Sequence, residues 1–291
     1  MSNLFDLLVA GLATGAIYAL VAVGFTLLWQ TSQTINFAQG EFVMLPAFLM
    51  LAAMQVGAPF WLAILVGILL SMLLLGLGFK LLLVDPMLRH GVLPLAIATM
   101  ALSLGLKEAV KQFYSAEASP FPSIVPAGEV TILGSVLSLQ SIGVLAVAIL
   151  AVVALNALLT RTSIGHQMQA AAQNPTVARI IGVPVERMIL LTFLINAGLV
   201  VLASLLITPI YLAKFSSGEV LGMAAFIAAI VGGFNSVRGA IAGGLLIGVV
   251  DNLAAAYVST QYRAAVPLVL LIAIILFRPQ GLMGRREERT I

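Results

Sequence analysis

Long apolar runs without a single charge constrain this chain more than any other feature of its sequence. No charged residue lies between Glu129 and Arg161, and none lies between Arg187 and Lys214. Each run exceeds the about 20 residues that a helix needs to cross a hydrocarbon core about 30 Å thick. Because the runs lack the polar–apolar alternation of outer-membrane strands, they predict helices. The sequence therefore predicts an all-α, polytopic integral membrane protein.

The apolar runs predict about nine spans within one transmembrane domain, residues 1–291. The spans lie at about residues 4–29, 35–55, 61–80, 94–111, 141–160, 188–212, 220–231, 238–258 and 264–277. The seventh run is shorter than a comfortable crossing requires. If residues 220–231 form a re-entrant element, the count falls to eight. The N-terminal sequence MSNLFDLL has no basic region, so we expect the first run to be a retained span and not a cleaved signal.

The basic residues predict the orientation of the spans. With nine spans, ten of the fourteen Lys and Arg residues fall on the side that holds the C-terminus. Since cytoplasmic loops carry the excess of Lys and Arg, we expect a cytoplasmic C-terminus and an N-terminus outside. The eight-span alternative weakens this asymmetry. The terminal cluster RREER is predicted to be a topology signal that contacts anionic lipid.

Two extramembrane segments follow from this orientation. Residues 161–187 lie in the cytoplasm, and residues 114–140 form a loop on the opposite side. Three prolines keep this loop irregular, and residues 130–140 are compatible with a short hairpin.

The polar segment at residues 161–187 predicts two short helices. Ser163 is placed to cap the first helix, and Asn174 followed by Pro175 is typical of the start of a second. Gly182 suits the left-handed position after a helix, and Pro184 prevents continuation. A compact helix pair between two spans predicts a docking surface, although a merely solvated loop is the alternative. The apolar residues that we expect on this surface are Ala170, Ala171, Ala178, Ile180 and Ile181.

Two carboxylates, Glu41 and Asp251, lie within predicted spans. A charge at a helix centre in the bilayer costs at least about 2.5–3.5 kcal/mol, so such a group needs a partner or an aqueous path. We therefore expect both to line the pathway or its gate, beside the hydrogen-bonding residues Asn36, Gln39 and Asn252. The alternative is that they only tie helices together. The glycines at 239, 243, 244 and 248 predict close helix packing or, alternatively, a gating hinge.

The sequence contains no motif for chemistry within this chain. The G-x-x-x-x-G-K-[ST] pattern of ATP-binding loops is absent, and there are no cysteines. No cluster has metal-ligand spacing and no nucleophile–base pair is evident, so we expect no enzymatic activity, no metal and no cofactor. The basic residues are scattered along one membrane face, which does not support a nucleic-acid partner.

Several stretches resemble the LivH-type permeases of branched-chain amino acid ABC importers. They are GLATGAIYALVAVGFTLLW, TINFAQGEFVML, AAAQNPTVARIIGV, VRGAIAGGLLIG with the following DNLAAAY, and LFRPQGLMG, in family order from about residue 8 to residue 284. The resemblance implies an ABC importer permease in the bacterial inner membrane, with residues 114–140 in the periplasm. The implied partners are a second permease (LivM type), two ATPases (LivG and LivF types) and a periplasmic substrate-binding protein. One departure is Gln39, where the family usually has histidine.

The resemblance also implies that residues 161–187 are cytoplasmic coupling helices that engage the ATPases, comparable to the EAA loop of other ABC importers. The residues expected to carry this coupling are Gln169, Ala170, Ala171, Asn174, Pro175, Ala178, Arg179, Ile181 and Gly182.

The expected function is translocation of branched-chain amino acids or a related small polar metabolite, with ATP hydrolysis in partner subunits. An ABC permease for urea or amides stays open as an alternative. Two further alternatives are a self-sufficient ion-coupled secondary transporter, with Glu41 or Asp251 as the coupling site, and a channel. The resemblance assigns most of the selectivity to the binding protein, so direct recognition of substrate charge by these carboxylates is not expected.

Overall fold

The structure, a computed structural model, describes residues 4–114, 117–126, 128–132, 135–259, 262–263 and 265–284. These residues are almost entirely helical, as predicted. The first helices are α1 (Leu4–Ser32), α2 (Gln39–Gln55), α3 (Phe60–Ser71), a π-helical segment (Met72–Val84), α4 (Asp85–Leu88) and α5 (Val92–Phe113). The strands β1 (Glu129–Ile132) and β2 (Ser135–Ser138) follow. The chain continues with α6 (Leu139–Arg161), α7 (Ser163–Gln173), α8 (Pro175–Ile180), α9 (Val185–Tyr211), α10 (Ser217–Gly232), α11 (Val237–Tyr257) and α12 (Ala265–Phe277).

Each of the predicted spans coincides with a helix. Among the described residues, six helices are long and apolar enough to cross a membrane: Leu4–Ser32, Phe60–Leu88, Val92–Phe113, Leu139–Arg161, Val185–Tyr211 and Val237–Tyr257. Two shorter apolar helices are α10 and α12. Helix α10 is longer than the predicted seventh run, because Ser217, Gly218 and Glu219 precede that run and Gly232 follows it, which gives the helix 16 residues. The protein is therefore a multi-pass membrane protein.

The chain divides into two compact units. The first comprises residues 1–26, 125–149 and 223–291, and the second comprises residues 27–124 and 150–222. In the first unit, glycines bring α1 and α11 into backbone contact. A Cβ on Gly15 would lie 2.8 Å from the carbonyl oxygen of Gly244, and a Cβ on Gly248 would meet the backbone of Gly15. The close packing predicted for the glycines of the eighth span is confirmed.

The segment after α12, also in the first unit, closes the C-terminal end of α10. The backbone N–H groups of Leu282 and Met283 donate to the carbonyl oxygens of Val231 and Gly232, each at 2.9 Å. Carbonyls in the last turn of a helix have no partner within the helix, so part of the LFRPQGLMG stretch satisfies two of them. Gly233 follows with φ of +114°, a conformation that favours glycine. The RREER cluster, residues 285–289, lies outside the described residues.

The predicted 114–140 loop begins where α5 ends and contains a hairpin. β1 and β2 pair antiparallel, with Val130 opposite Leu137. The hairpin predicted for residues 130–140 is thus confirmed, and α6 starts directly after it.

The core of the second unit forms where α2, α3 and α9 pack together. Its buried side chains include Met44, Phe48, Met50, Ala63 and Leu205. The apolar faces of three long helices are buried there, which fixes α2 between its neighbours.

The π-helical segment lies in the same unit and packs against α2 and α9. The ring of Phe79 lies 4.9 Å from the ring of Phe42 and 5.8 Å from that of Phe193, between centroids. Lys80, which is 5% exposed, donates to both carboxylate oxygens of Asp85, at 2.9 and 2.7 Å. The spacing of five residues matches the i to i+5 repeat of a π-helix.

Candidate functional site

Three buried amide side chains hold the start of α2 in the second unit. The amide nitrogen of Asn36 donates to Gln39 Oε1 at 3.1 Å. Gln39 Nε2 donates to Asn196 Oδ1 at 2.6 Å, and Asn196 Nδ2 donates back to Gln39 Oε1 at 3.2 Å. All three residues are fully buried. The side-chain oxygen of Asn36 accepts from the backbone N–H of Ala38 at 3.0 Å. Each of the three amide oxygens therefore has a donor, and the pairing of Gln39 with Asn196 ties α2 to α9.

Close backbone packing positions Glu41, the next polar residue of α2. A Cβ on Gly40 would overlap the carbonyl of Gly218 and lie 3.0 Å from Gly222 Cα. Gly218 and Gly222 are four residues apart on α10, the spacing that lets helices approach closely in membranes. As a result, Glu41 of α2 and Glu219 of α10 line the same cavity.

This cavity has a volume of about 340 Å³ and combines charged with apolar walls. Its lining consists of Phe37, Glu41, Met100, Ser103, Leu104, Lys107 and Glu219. Lys107 Nζ lies 2.8 Å from Glu219 Oε2. The Glu41 carboxylate has Ser103 beside it, is 3% exposed, and forms no ion pair with any residue that the structure describes. We refer to this space as the Glu41 cavity.

Asp251 lies in the first unit and has a different environment. Arg263 donates from Nε to Asp251 Oδ1 at 2.7 Å and from Nη2 to Oδ2 at 2.6 Å. The hydroxyl of Tyr18 donates to Oδ2 at 3.3 Å. Asn252 donates to the carbonyl oxygen of Gly248 within its own helix. The structure therefore gives Asp251 a charged partner and does not join Asn252 to that cluster.

The two short helices predicted at residues 161–187 are present as α7 and α8. Asn174 Oδ1 accepts from the backbone N–H groups of Thr176 and Val177 at 3.1 and 3.0 Å, and Pro175 is the first helical residue. Gly182 has φ of +87°, as expected for the residue after a helix.

The predicted cap of α7 is wrong by one residue. Thr162, not Ser163, is the N-cap, and its hydroxyl oxygen accepts from the N–H of Gly165 at 3.0 Å. Thr162 has extended backbone angles, as an N-cap requires, whereas Ser163 is already helical.

The apolar surface of this helix pair also differs from the expectation. Ala171 and Ala178 are only 2% exposed, and they pack against Met168, Val185 and Met188. These two alanines hold the pair together and do not offer surface.

The exposed apolar side chains of the helix pair are larger residues. They are Ile164, Val177, Ile180 and Ile181, with exposed fractions of 48%, 51%, 79% and 68%. Ala170 is half-buried. Gln169 donates to the carbonyl oxygen of Leu159, and Arg179 pairs with Glu186 at 2.9 Å.

Four residues near the candidate site have no clear signature in the sequence. Asn196 was visible only as one polar residue in an apolar span. In the sequence, Lys107 falls at the polar end of its apolar run, and Ser103 and Glu219 give no distinct signal. Lys107 and Glu219 are 112 residues apart, so no local pattern predicts their contact.

Comparison with known proteins gives consistent matches along the whole chain. A family profile described as branched-chain amino acid transport system / permease component matches residues 7–275. The high-affinity branched-chain amino acid transport system permease protein BraD of Pseudomonas aeruginosa is 31% identical over 299 aligned positions, covering 98% of this chain and 97% of BraD. The corresponding protein LivH of Escherichia coli K12 is 30% identical over 295 positions, covering 97% and 96%.

A more distant relative comes from an archaeon. The probable branched-chain amino acid transport permease protein LivH of Methanocaldococcus jannaschii is 26% identical over 286 positions, covering 91% of this chain and 88% of that protein. No solved structure matches the chain.

Proposed function

Since this chain belongs to the family of branched-chain amino acid transport system permease components, we propose that it is the transmembrane permease subunit of a bacterial ABC importer. The proposed cargo is a branched-chain amino acid or a related small polar metabolite, which crosses the inner membrane. ATP hydrolysis by separate subunits drives the transport. The observation that carries the proposal is the near-complete alignment with relatives named as permeases of high-affinity branched-chain amino acid transport systems.

The α7–α8 pair supports a link to separate ATPase subunits. Two capped helices, joined at Asn174, stand between the long apolar helices α6 and α9. Val177, Ile180 and Ile181 are exposed on this pair, although apolar side chains of this size are usually buried. An exposed apolar patch marks a contact surface, and we assign it to an ATPase on the cytoplasmic side.

The buried alanines and the N-cap residue Asn174 stabilise the helix pair in this proposal. Ala171 and Ala178 are buried and keep the two helices in register, so that motion at the exposed isoleucines is transmitted to α9. Gln169, Asn174, Pro175 and Gly182 fix the shape of the pair, and Arg179 and Ala170 border the exposed patch.

The complete importer in this proposal contains further subunits. They are a second permease of the LivM type, two ATPases of the LivG and LivF types, and a periplasmic binding protein that delivers the cargo. The excess of basic residues supports a cytoplasmic C-terminus and a periplasmic N-terminus. Residues 114–140 then face the periplasm.

Reconstitution tests the proposal against its rivals. The chain is placed in liposomes alone, and then together with its candidate ATPases, second permease and binding protein. We expect uptake of leucine, isoleucine or valine only from the full set with ATP inside the vesicle lumen that corresponds to the cytoplasm. Uptake by the single chain, driven by an ion gradient or by diffusion, would instead identify a secondary transporter or a channel.

A further inference from the structure

Resting on the proposed function, we propose that the Glu41 cavity is a transit site for the zwitterionic head group of an amino acid. In this assignment, which departs from the expectation drawn from the resemblance, Glu41 receives the α-ammonium group, Lys107 receives the α-carboxylate, and the apolar wall receives the side chain. The permease itself then distinguishes amino acids from small uncharged amides such as urea, in addition to any selection by the binding protein.

The charge balance of the cavity gives the first argument. Its two carboxylates, Glu41 and Glu219, face one ammonium group, that of Lys107. Lys107 is already paired with Glu219, and Glu41, which has Ser103 beside it, forms no ion pair with any residue that the structure describes. A carboxylate that is 97% buried in a membrane protein needs a partner or an aqueous path, and a cation is the partner that balances its charge. The α-ammonium group of an amino acid supplies one.

The second argument is that Lys107 can exchange its partner at low cost. The Glu219 side chain is 69% exposed, whereas that of Lys107 is 23% exposed. An exposed ion pair contributes little stability, and the Glu219 carboxylate can return to water when it releases Lys107. The substrate carboxylate then takes the place of Glu219. Glu219 therefore keeps the Lys107 ammonium group in place while the cavity is empty, and it is not itself required for binding the amino acid.

The third argument is the apolar side of the cavity. Phe37, Met100 and Leu104 provide an aromatic ring, a flexible thioether and a branched chain. Methionine adapts to side chains of different shape, which suits a site that accepts several aliphatic amino acids. The volume of about 340 Å³ lies at the small end of the range for small-molecule sites. The combination of opposite charges and an apolar wall fits a zwitterion with an aliphatic side chain better than a neutral amide.

Occupancy of the cavity can be read with a single cysteine, since the chain has none of its own. Leu104 lines the cavity and is 65% exposed, so Leu104→Cys gives a reporter whose labelling by a maleimide slows when the cavity is filled. Val153→Cys is the matched control, because Val153 is 57% exposed on α6 and does not line the cavity. Both variants are measured in the assembled importer, with labelling of this chain read by its mass.

Four probes separate the parts of the substrate: leucine, leucinamide, 4-methylpentanoate and urea. We expect leucine at ten times its dissociation constant to slow labelling at Leu104→Cys by about tenfold, with no effect at Val153→Cys. Leucinamide, which keeps the ammonium group, should protect more than 4-methylpentanoate, which lacks it, and urea should not protect. Glu41→Gln in the Leu104→Cys background should raise the leucine concentration needed by at least about tenfold, as expected for one lost charge-assisted hydrogen bond.

The outcomes separate this proposal from the proposed function. If the importer transports leucine while leucine fails to slow labelling, the cavity assignment is overturned and the permease function stands. Equal protection by 4-methylpentanoate and leucinamide, or protection by Na⁺ alone, would also overturn it. The analogue series needs no change at Glu41, so it decides the question even if Glu41→Gln does not fold. Failure of leucine uptake by the unmodified full set would count against the proposed function alone.

Discussion

At the scale of single residues, the two embedded carboxylates differ in how their charge is balanced. Asp251 accepts two hydrogen bonds from the guanidinium group of Arg263, which uses both of its oxygens. Glu41 faces a cavity and has no ion pair with the residues that the structure describes. We therefore propose that Asp251 ties α11 to the turn that follows it, and that Glu41 is the carboxylate available to a ligand.

Breaking the first of these contacts should lower stability. Arg263→Gln leaves the carboxylate of Asp251, whose side chain is 8% exposed, without its cation. We expect the free energy of unfolding in detergent micelles to fall by about 3 kcal/mol, the low end for a broken buried pair, because the side chain of Arg263 is itself 32% exposed. The double variant Asp251→Asn/Arg263→Gln removes both charges and should recover part of this loss. If the loss in the double variant equals the sum of the losses in Arg263→Gln alone and Asp251→Asn alone, the two side chains are not coupled.

At the scale of elements, contacts between glycines decide which polar side chains meet. Gly40 lies against Gly218 and Gly222, and this contact joins the start of α2 to the start of α10. Any side chain at these positions would push the helices apart and separate Glu41 from Lys107 and Glu219. The Glu41 cavity is thus a product of helix packing.

Gly40→Ala tests this dependence. Its Cβ would overlap the carbonyl oxygen of Gly218, and overpacking of this kind costs about 1–3 kcal/mol of unfolding free energy. The matched control is Gly105→Ala, where no atom lies within 4 Å of the added Cβ. Since alanine is the better helix former, that control should be neutral or gain up to about 1 kcal/mol. Equal destabilisation of both variants, measured by denaturant unfolding in micelles, would contradict the packing argument.

The exposed face of the α7–α8 pair belongs to the same scale. Ile180→Asp places a charge in the centre of the proposed ATPase contact, where an apolar anchor contributes about 2 kcal/mol or more. We expect uptake by the full importer to fall at least about tenfold, with normal membrane insertion and with ATP hydrolysis no longer linked to uptake. Ile124→Asp, a change at a 40% exposed residue of the 114–140 loop, is the control and should retain uptake. Unchanged uptake in Ile180→Asp would show that the α7–α8 pair is not the ATPase contact.

At the scale of the whole molecule, hydropathy and local signals predicted the helices but not the contacts between them. The spans, the hairpin at residues 130–140 and the start of α8 at Asn174 follow from runs, turns and caps that are local in sequence. The contact of Lys107 with Glu219, and the pairing of Gln39 with Asn196 across 157 positions, depend on helix packing, which leaves no local mark. Ala171 and Ala178 show the same dependence on packing. As apolar residues in a polar segment they predicted an exposed apolar surface, whereas in the structure they are buried against α9.

The orientation of the chain yields the last prediction. Single-cysteine variants are again clean reporters, because the chain contains no cysteine. Ile124→Cys, Ile180→Cys and Met283→Cys lie at residues that are 40%, 79% and 54% exposed. In intact cells with a permeable outer membrane, we expect a membrane-impermeant maleimide to label residue 124 only. Residues 180 and 283 should react once the inner membrane is opened, since the basic residues place both in the cytoplasm.

Residue 283 separates the two span counts. Between residues 180 and 283 the chain passes through α9, α10, α11 and α12. If all four cross the membrane, both residues lie on the same side, whereas a re-entrant α10 leaves three crossings and puts them on opposite sides. A straight α10 of 16 residues rises about 24 Å at 1.5 Å per residue, which is short of the about 30 Å core. A crossing therefore requires local thinning of the bilayer or polar flanks at both ends. Labelling of residue 283 from outside the cell would establish the re-entrant arrangement and reverse the predicted position of the C-terminus.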